Sequence, residues 1–157
     1  MATIFQRMRL HPRQLRTVAE RRFDDARYLL RSGRNARANA SMYLAGFVVE
    51  CLLKAALLEH YRWLQSAGTP AGRPEPEREI WFLCYRSHDL TGILERLPGL
   101  TRRLASLEQQ GQLRLLNKLR SICSEWTIFA RYSPRTAEIA EAGRFIEQIE
   151  ELKPWLK

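Results

Sequence analysis

From Asn35 to about Gln65, apolar residues recur with a helical period at Leu44, Val48, Cys51, Leu52, Ala55 and Leu58, sustained over several turns. A segment of that length and apolarity has to be covered on several sides, so the spacing predicts a long central helix with other helices packed around it. The neighbouring stretches fit that role. Between Pro12 and Ser32, Leu15, Val18, Ala19, Ala26, Leu29 and Leu30 fall on one stripe with arginines opposite, and Gly33 is placed as a C-terminal stop.

Further helices are expected from Gln112 to near Tyr132, with Leu116, Leu119, Cys123, Trp126 and Ala130 in step, and from about Thr136 to Leu156, where Ile139, Ala142, Phe145, Ile146, Ile149 and Leu152 face inward. Glu138 and Glu141 lie at the start of the last one, where the helix dipole favours acids. Short pieces are expected from about Asp89, ended by Pro98 and Gly99, and from Thr101 to Gln110. Residues 66–79 carry three prolines and two glycines and read as a loop, the most mobile segment and a candidate for disorder. No strand pattern is visible. The expected fold is all-α, an up-and-down bundle of four main helices plus short connecting helices, in one domain over residues 12–156, with residues 1–11 as an N-terminal extension.

Composition narrows the function classes. At 157 residues the chain is the size of one domain that buries a sizeable core unaided. The three cysteines, Cys51, Cys84 and Cys123, are far apart and odd in number, which argues against a disulfide framework or a thiolate metal site and for a reduced, cytoplasmic setting. The N-terminal residues lack the continuous apolar stretch of a secretory signal, and the longest apolar run, Leu44 to Val49, stops at Glu50, well short of the ~20 residues that span a bilayer. A soluble protein is expected. The net charge is +9, and ten arginines against Glu20, Asp24 and Asp25 fall within residues 1–37. Such a surface steers phosphate backbones or an acidic partner, or is simply the solvated face of an arginine-rich chain.

Three places carry candidate chemistry. Gly46, Glu50 and Lys54 are spaced by four and share a helix face with Tyr43, Phe47, Leu57 and Tyr61, so charge is embedded in an apolar stripe. A mid-helix glycine costs about 1 kcal/mol relative to alanine and lets another group approach closely. The plainer reading is an ion pair and a helix-packing glycine. Next, Ser87-His88-Asp89-Leu90 begins a short helix; Ser87 or Asp89 caps it, and His88 stands at its entrance, as a proton-transfer group or as a structural hydrogen-bonding residue. Last, Arg131 and Tyr132 precede the Ser133-Pro134 break, where an arginine fork suits phosphate and a tyrosine stacks on a base, or where both cap the bundle end. Cofactor motifs are not visible: there is no phosphate-cradling glycine loop, no pair of histidines at i, i+4 and no Gly-x-Ser-x-Gly.

The run Ala19 to Gly33, the block Gly46-x-x-x-Glu50-x-x-x-Lys54, His88-Asp89-Leu90 and Arg131-Tyr132, taken in this order and spacing, resembles the HEPN domain family over about residues 15–152. The resemblance implies a helical bundle that dimerises, often beside a minimal nucleotidyltransferase acting as antitoxin in toxin–antitoxin or defence systems. It also implies that some members are metal-independent endoribonucleases that rely on an Arg-x(4–6)-His motif meeting its copy across the dimer cleft. Counted from Arg131, the histidine positions hold Thr136, Ala137 and Glu138, so the usual pair is absent. The expectation is therefore a module that binds RNA, a nucleotide or a partner protein through Glu50, Lys54, His88, Asp89, Arg131 and Tyr132. The alternatives are a nuclease in which His88 and Arg131 are brought together as the catalytic pair, and a purely structural dimerisation domain.

Overall fold

His11 opens the first helix: its Nδ1 accepts the Arg13 amide at 3.3 Å, and Pro12 fills the first turn, where no amide donor is missed. The computed structural model describes residues 9–66, 68–110 and 114–157, so the first eight residues of the expected extension, Ala67 of the expected loop and the expected helix start at Gln112 lie outside the described residues. Helix α1 (Pro12–Arg31) buries Leu15, Ala19, Phe23 and Ala26 at intervals of three and four, and Gly33 ends it in the left-handed region at φ +65 with its amide bonded to the Leu30 carbonyl. A short 3-10 turn over Asn35–Arg37 reverses the chain into α2 (Ala38–His60).

The two helices form an antiparallel hairpin. Ser41 Oγ donates to the Ala26 carbonyl at 2.8 Å near the turn, and Arg16 forms a two-pronged bond to Glu59 at the far end. Ala19, Ala26 and Ala45 are fully buried, and their small side chains permit the close approach. As a whole, Asn35–His60 is long and apolar enough to cross a membrane, with mean hydropathy 1.7 in its most apolar window. That window is 72% buried inside the protein, because α2 is wrapped by other helices and buries nearly every residue from Val48 to Leu58.

The remaining helices are α3 (Glu75–Tyr85), α4 (Leu90–Glu95), α5 (Pro98–Gln109), α6 (Leu115–Glu125) and α7 (Ile139–Leu152); α3, α4 and α7 join α1 on α2, while α5 and α6 pack on each other and on α4. Among the described residues there is no strand, and the fold is all-α. α7 lays Ile146, Ile149 and Leu152 on the core, while Ala142 joins Ala38 and Ala137 in a small second cluster.

Several boundaries differ from the sequence expectation. The proline-rich loop ends at Pro74 and α3 begins at Glu75, because Pro76 sits in the first turn, where a proline is tolerated, and Ile80, Leu83 and Cys84 then give the helix a buried face. α5 begins at Pro98 rather than Thr101, because a proline is tolerated in its first turn, and α7 begins at Ile139 rather than Thr136. The helix expected to reach Tyr132 stops at Glu125: Trp126 and Thr127 take extended backbone, and residues Ile128–Tyr132 form a 3-10 turn. This break swings the Trp126 ring onto α2 at Gly46.

Candidate functional site

Gly46 makes the first contact of the site. A Cβ built there would lie 2.1 Å from Cδ1 and Nε1 of Trp126, so only glycine leaves room for the indole, which also stacks on Tyr43 at 5.9 Å between ring centroids. The Trp126 Nε1 is buried with no hydrogen-bond partner among the described residues. This resolves the mid-helix glycine as a seat for an aromatic ring.

One turn further along α2 stands Glu50, 2% exposed, and one turn beyond it Lys54, 8% exposed. Burial of two charges costs several kcal/mol each unless their hydrogen-bonding capacity is met. Here it is met: Lys54 Nζ donates to Glu50 Oε1 and to the Ser87 carbonyl, both at 2.8 Å. His88 Nδ1 completes the carboxylate, 3.0 Å from Oε1 and 2.9 Å from Oε2. The pair thus ties the 86–89 segment, between α3 and α4, to the central helix.

A neutral imidazole whose Nδ1–H is given to a carboxylate keeps its lone pair on Nε2, which has no hydrogen bond among the described residues. The His88 side chain is 41% exposed and lines an open groove of about 470 Å³. Two exposed phenylalanines, Phe82 on α3 and Phe129 on the 3-10 turn, line the same groove, with Arg86, Ser87, Asp89, Thr91, Ser124 and Thr127 as polar groups. Aromatic faces beside hydroxyls, a guanidinium and an oriented imidazole suit a stacked base with a phosphate or sugar hydroxyl near it.

The remaining expected residues divide. Asp89 caps α4: its Oδ1 accepts the Gly92 amide at 2.9 Å, and its own amide donates to Ser87 Oγ at 2.9 Å. Gly92 is required by this cap, since a Cβ there would lie 2.6 Å from Asp89 Oδ2. Arg131 and Tyr132 do not line the groove of His88; they stack on each other, with the guanidinium 4.7 Å from the ring centroid and both side chains exposed. Arg86 is the arginine that lines the groove with His88, its guanidinium lying over the Trp81 ring at 5.9 Å from the centroid. The structure therefore joins Glu50, Lys54 and His88, adjoins Asp89 to them, and leaves Arg131 and Tyr132 apart.

Phe82, Arg86 and Trp126 were missed as site residues by sequence reasoning. Gly46 was the available signal for Trp126, since a glycine in a buried helix interior marks a close approach. No comparable signal exists for Phe82, whose helix was not expected.

The cysteines stand outside any such chemistry. All three are buried and free, and burial pushes their thiols up to about 12, with the Glu50 carboxylate adding to the effect at Cys51 and Asp89 at Cys123. Among the described residues, no group of three or more His, Cys, Asp or Glu side chains is placed to hold a metal ion. The chain matches no family model, no curated protein and no solved structure.

Proposed function

We propose that the chain is a HEPN-type helical module that binds single-stranded RNA, or a nucleotide of the same chemistry, in the groove at His88. The observation that carries this reading is the clamp of His88 Nδ1 on the buried Glu50 carboxylate, which holds an imidazole in one orientation at the mouth of a groove between Phe82 and Phe129. Orientation by a buried carboxylate that is itself neutralised by Lys54 exceeds what is needed to cap a short helix, a task Asp89 already performs. The net charge of +9 favours association with a polyanion. The test is fluorescence polarisation with a 5′-fluorescein 20-nucleotide oligouridylate. Phe129→Ala removes one stacking surface and is expected to weaken binding by about 1–3 kcal/mol, five- to 150-fold. Unchanged affinity in both Phe129→Ala and His88→Ala overturns the reading.

A second reading, metal-independent RNA cleavage, is favoured by the free Nε2. In it, Nε2 takes the proton of a ribose 2′-hydroxyl as that oxygen attacks the adjacent phosphorus. The P–O5′ bond breaks, and the O5′ leaving group is protonated by the imidazolium, giving a 2′,3′-cyclic phosphate and a 5′-hydroxyl end. Arg86, which lines the groove, takes the place expected of Arg131 in stabilising the developing charge. Incubation with RNA in EDTA tests it: cleavage lost in His88→Ala and retained in Arg131→Ala supports it, and intact RNA at every protein concentration rejects it. A homodimer, a nucleotidyltransferase-type partner and a cytoplasmic toxin–antitoxin or defence setting belong to the same proposal. Three free, buried thiols suit a reducing compartment.

A further inference from the structure

Arg34, just before the 3-10 turn at the tip of the α1–α2 hairpin, and Arg37, its last residue, are both exposed, and neither side chain makes a hydrogen bond or ion pair among the described residues. Two asparagines of the same corner reach across to the segment that leads into α7. Asn39 Nδ2 donates to the Arg135 carbonyl at 2.6 Å and its Oδ1 accepts the Ala137 amide at 2.7 Å, while Asn35 Oδ1 accepts the Ile139 amide at 3.0 Å. These bonds fix Arg135, whose side chain is 79% exposed, beside the corner. Two arginines of the hairpin tip and one from the segment leading into α7 thus meet at one end of the molecule.

That corner opens onto a groove of about 370 Å³ lined by Asn39 and Arg135, which shares Thr127 and Phe129 with the groove of His88. Phe129 is 71% exposed and forms the wall common to both. Glu125 and Glu141 also line the first groove, and Arg135 is 3.4 Å from Glu141. Two carboxylates exclude phosphate from that floor and leave it to bases and riboses, with phosphates carried on the arginines of the rim.

We infer that Arg34, Arg37 and Arg135 form a phosphate-binding entry track that guides single-stranded RNA past Phe129 to His88. The inference rests on the RNA-binding reading of the His88 groove and adds the path of the strand. An acidic protein segment would also be drawn to three arginines. RNA fits better because the track runs along the exposed Phe129 into a groove walled by a second exposed phenylalanine, Phe82, and an acidic peptide carries no bases to stack on them.

The experiment is a salt titration of oligouridylate binding by the full chain, with the R34A/R37A/R135A variant and a control variant R13A/R62A/R102A. The control removes the same charge from the opposite end of the hairpin, where α1 begins, α2 has just ended and α5 opens. Each phosphate contact on a single strand contributes about 0.7 to the slope of log K against log salt, so the track variant is expected to lose about 2 from the slope and the control close to none. Equal slopes for the track variant and the wild type overturn the track while leaving the groove reading intact. Equal losses in track and control variants reduce the effect to net charge and overturn it as well. Wild-type protein that binds no RNA rejects the underlying reading itself. Displacement of the RNA by polyglutamate of matched charge, at matched affinity, transfers the corner to an acidic protein partner and also overturns the proposal. Circular dichroism of both variants checks that the fold is retained.

Discussion

Replacing Lys54 with methionine keeps the length and apolar stem of the side chain but removes the ammonium that bonds Glu50 Oε1 and the Ser87 carbonyl, both at 2.8 Å. Glu50, 2% exposed, is then a buried carboxylate supported by His88 alone. Breaking a buried pair from one side costs about 3–5 kcal/mol, because the remaining charge keeps its desolvation penalty and loses its partner. For a chain of this size that corresponds to a fall in melting temperature of roughly 6–20 °C. Replacing both residues, Glu50→Leu with Lys54→Met, removes the orphaned charge, and such double replacements are neutral or stabilising by about 1–4 kcal/mol. The double variant is therefore expected to recover most of the stability lost by the single one. It does not recover the anchor of His88, so under the proposed reading its RNA affinity is expected to stay below that of the wild type. Urea unfolding of the wild type, both single variants and the double variant closes the cycle, with constant m-values as the check that the unfolded state is unchanged. A Lys54→Met cost below about 1 kcal/mol, or a double variant as unstable as the single ones, refutes the account of a buried, mutually dependent pair.

Gly46→Ala places a methyl 2.1 Å from the Trp126 ring, so the indole has to leave its seat. Overpacking of about 1–3 kcal/mol outweighs the roughly 1 kcal/mol gained in helix propensity, and a net loss with a changed near-ultraviolet tryptophan signal is expected. Asp89→Ala removes the α4 cap and is expected to cost about 0.5–2 kcal/mol in thermal unfolding. A hydrogen bond from Lys153, and then the Lys157 ammonium paired with Oε1 at 2.8 Å, hold the Glu20 carboxyl below its ordinary value of 4.5, and Arg16 does the same for Glu59. A lowered folded-state value gives stability that is present above about pH 4.5 and lost as the pH falls below it, so melting temperature is expected to drop on acidification through that window and to drop less in Lys153→Met.

The core was legible because its signal is long: the unbroken period from Leu44 to Leu58 admits no strand, and the helix it predicts is the one on which α1, α3, α4 and α7 pack. The Glu50–Lys54 spacing likewise placed both side chains on one helix face, and the charge within an apolar stripe pointed to a partner, which is His88. What escaped lies where tertiary packing overrides local pattern. Periodicity carries the helix from Leu116 through Ala130, yet the chain leaves it at Trp126, because burying an indole against Gly46 outweighs four more residues of helix on a part-exposed face. That departure carries Arg131 and Tyr132 away from the groove and leaves Phe129 on it. Helix α3 was hidden by Pro74 and Pro76, which punctuate a loop in most contexts and here flank a helix start.

The chain has three histidines, His11, His60 and His88, which makes the central claim directly observable. The decisive measurement is a nitrogen-15 NMR titration of histidine-labelled protein with oligouridylate, with His88 assigned by its loss in His88→Ala. The account predicts that free His88 is the tautomer protonated on Nδ1 and that its Nε2 resonance moves on RNA addition while His60 stays still. A His88 protonated on Nε2 in the free protein, or an RNA titration in which His88 does not respond, contradicts it.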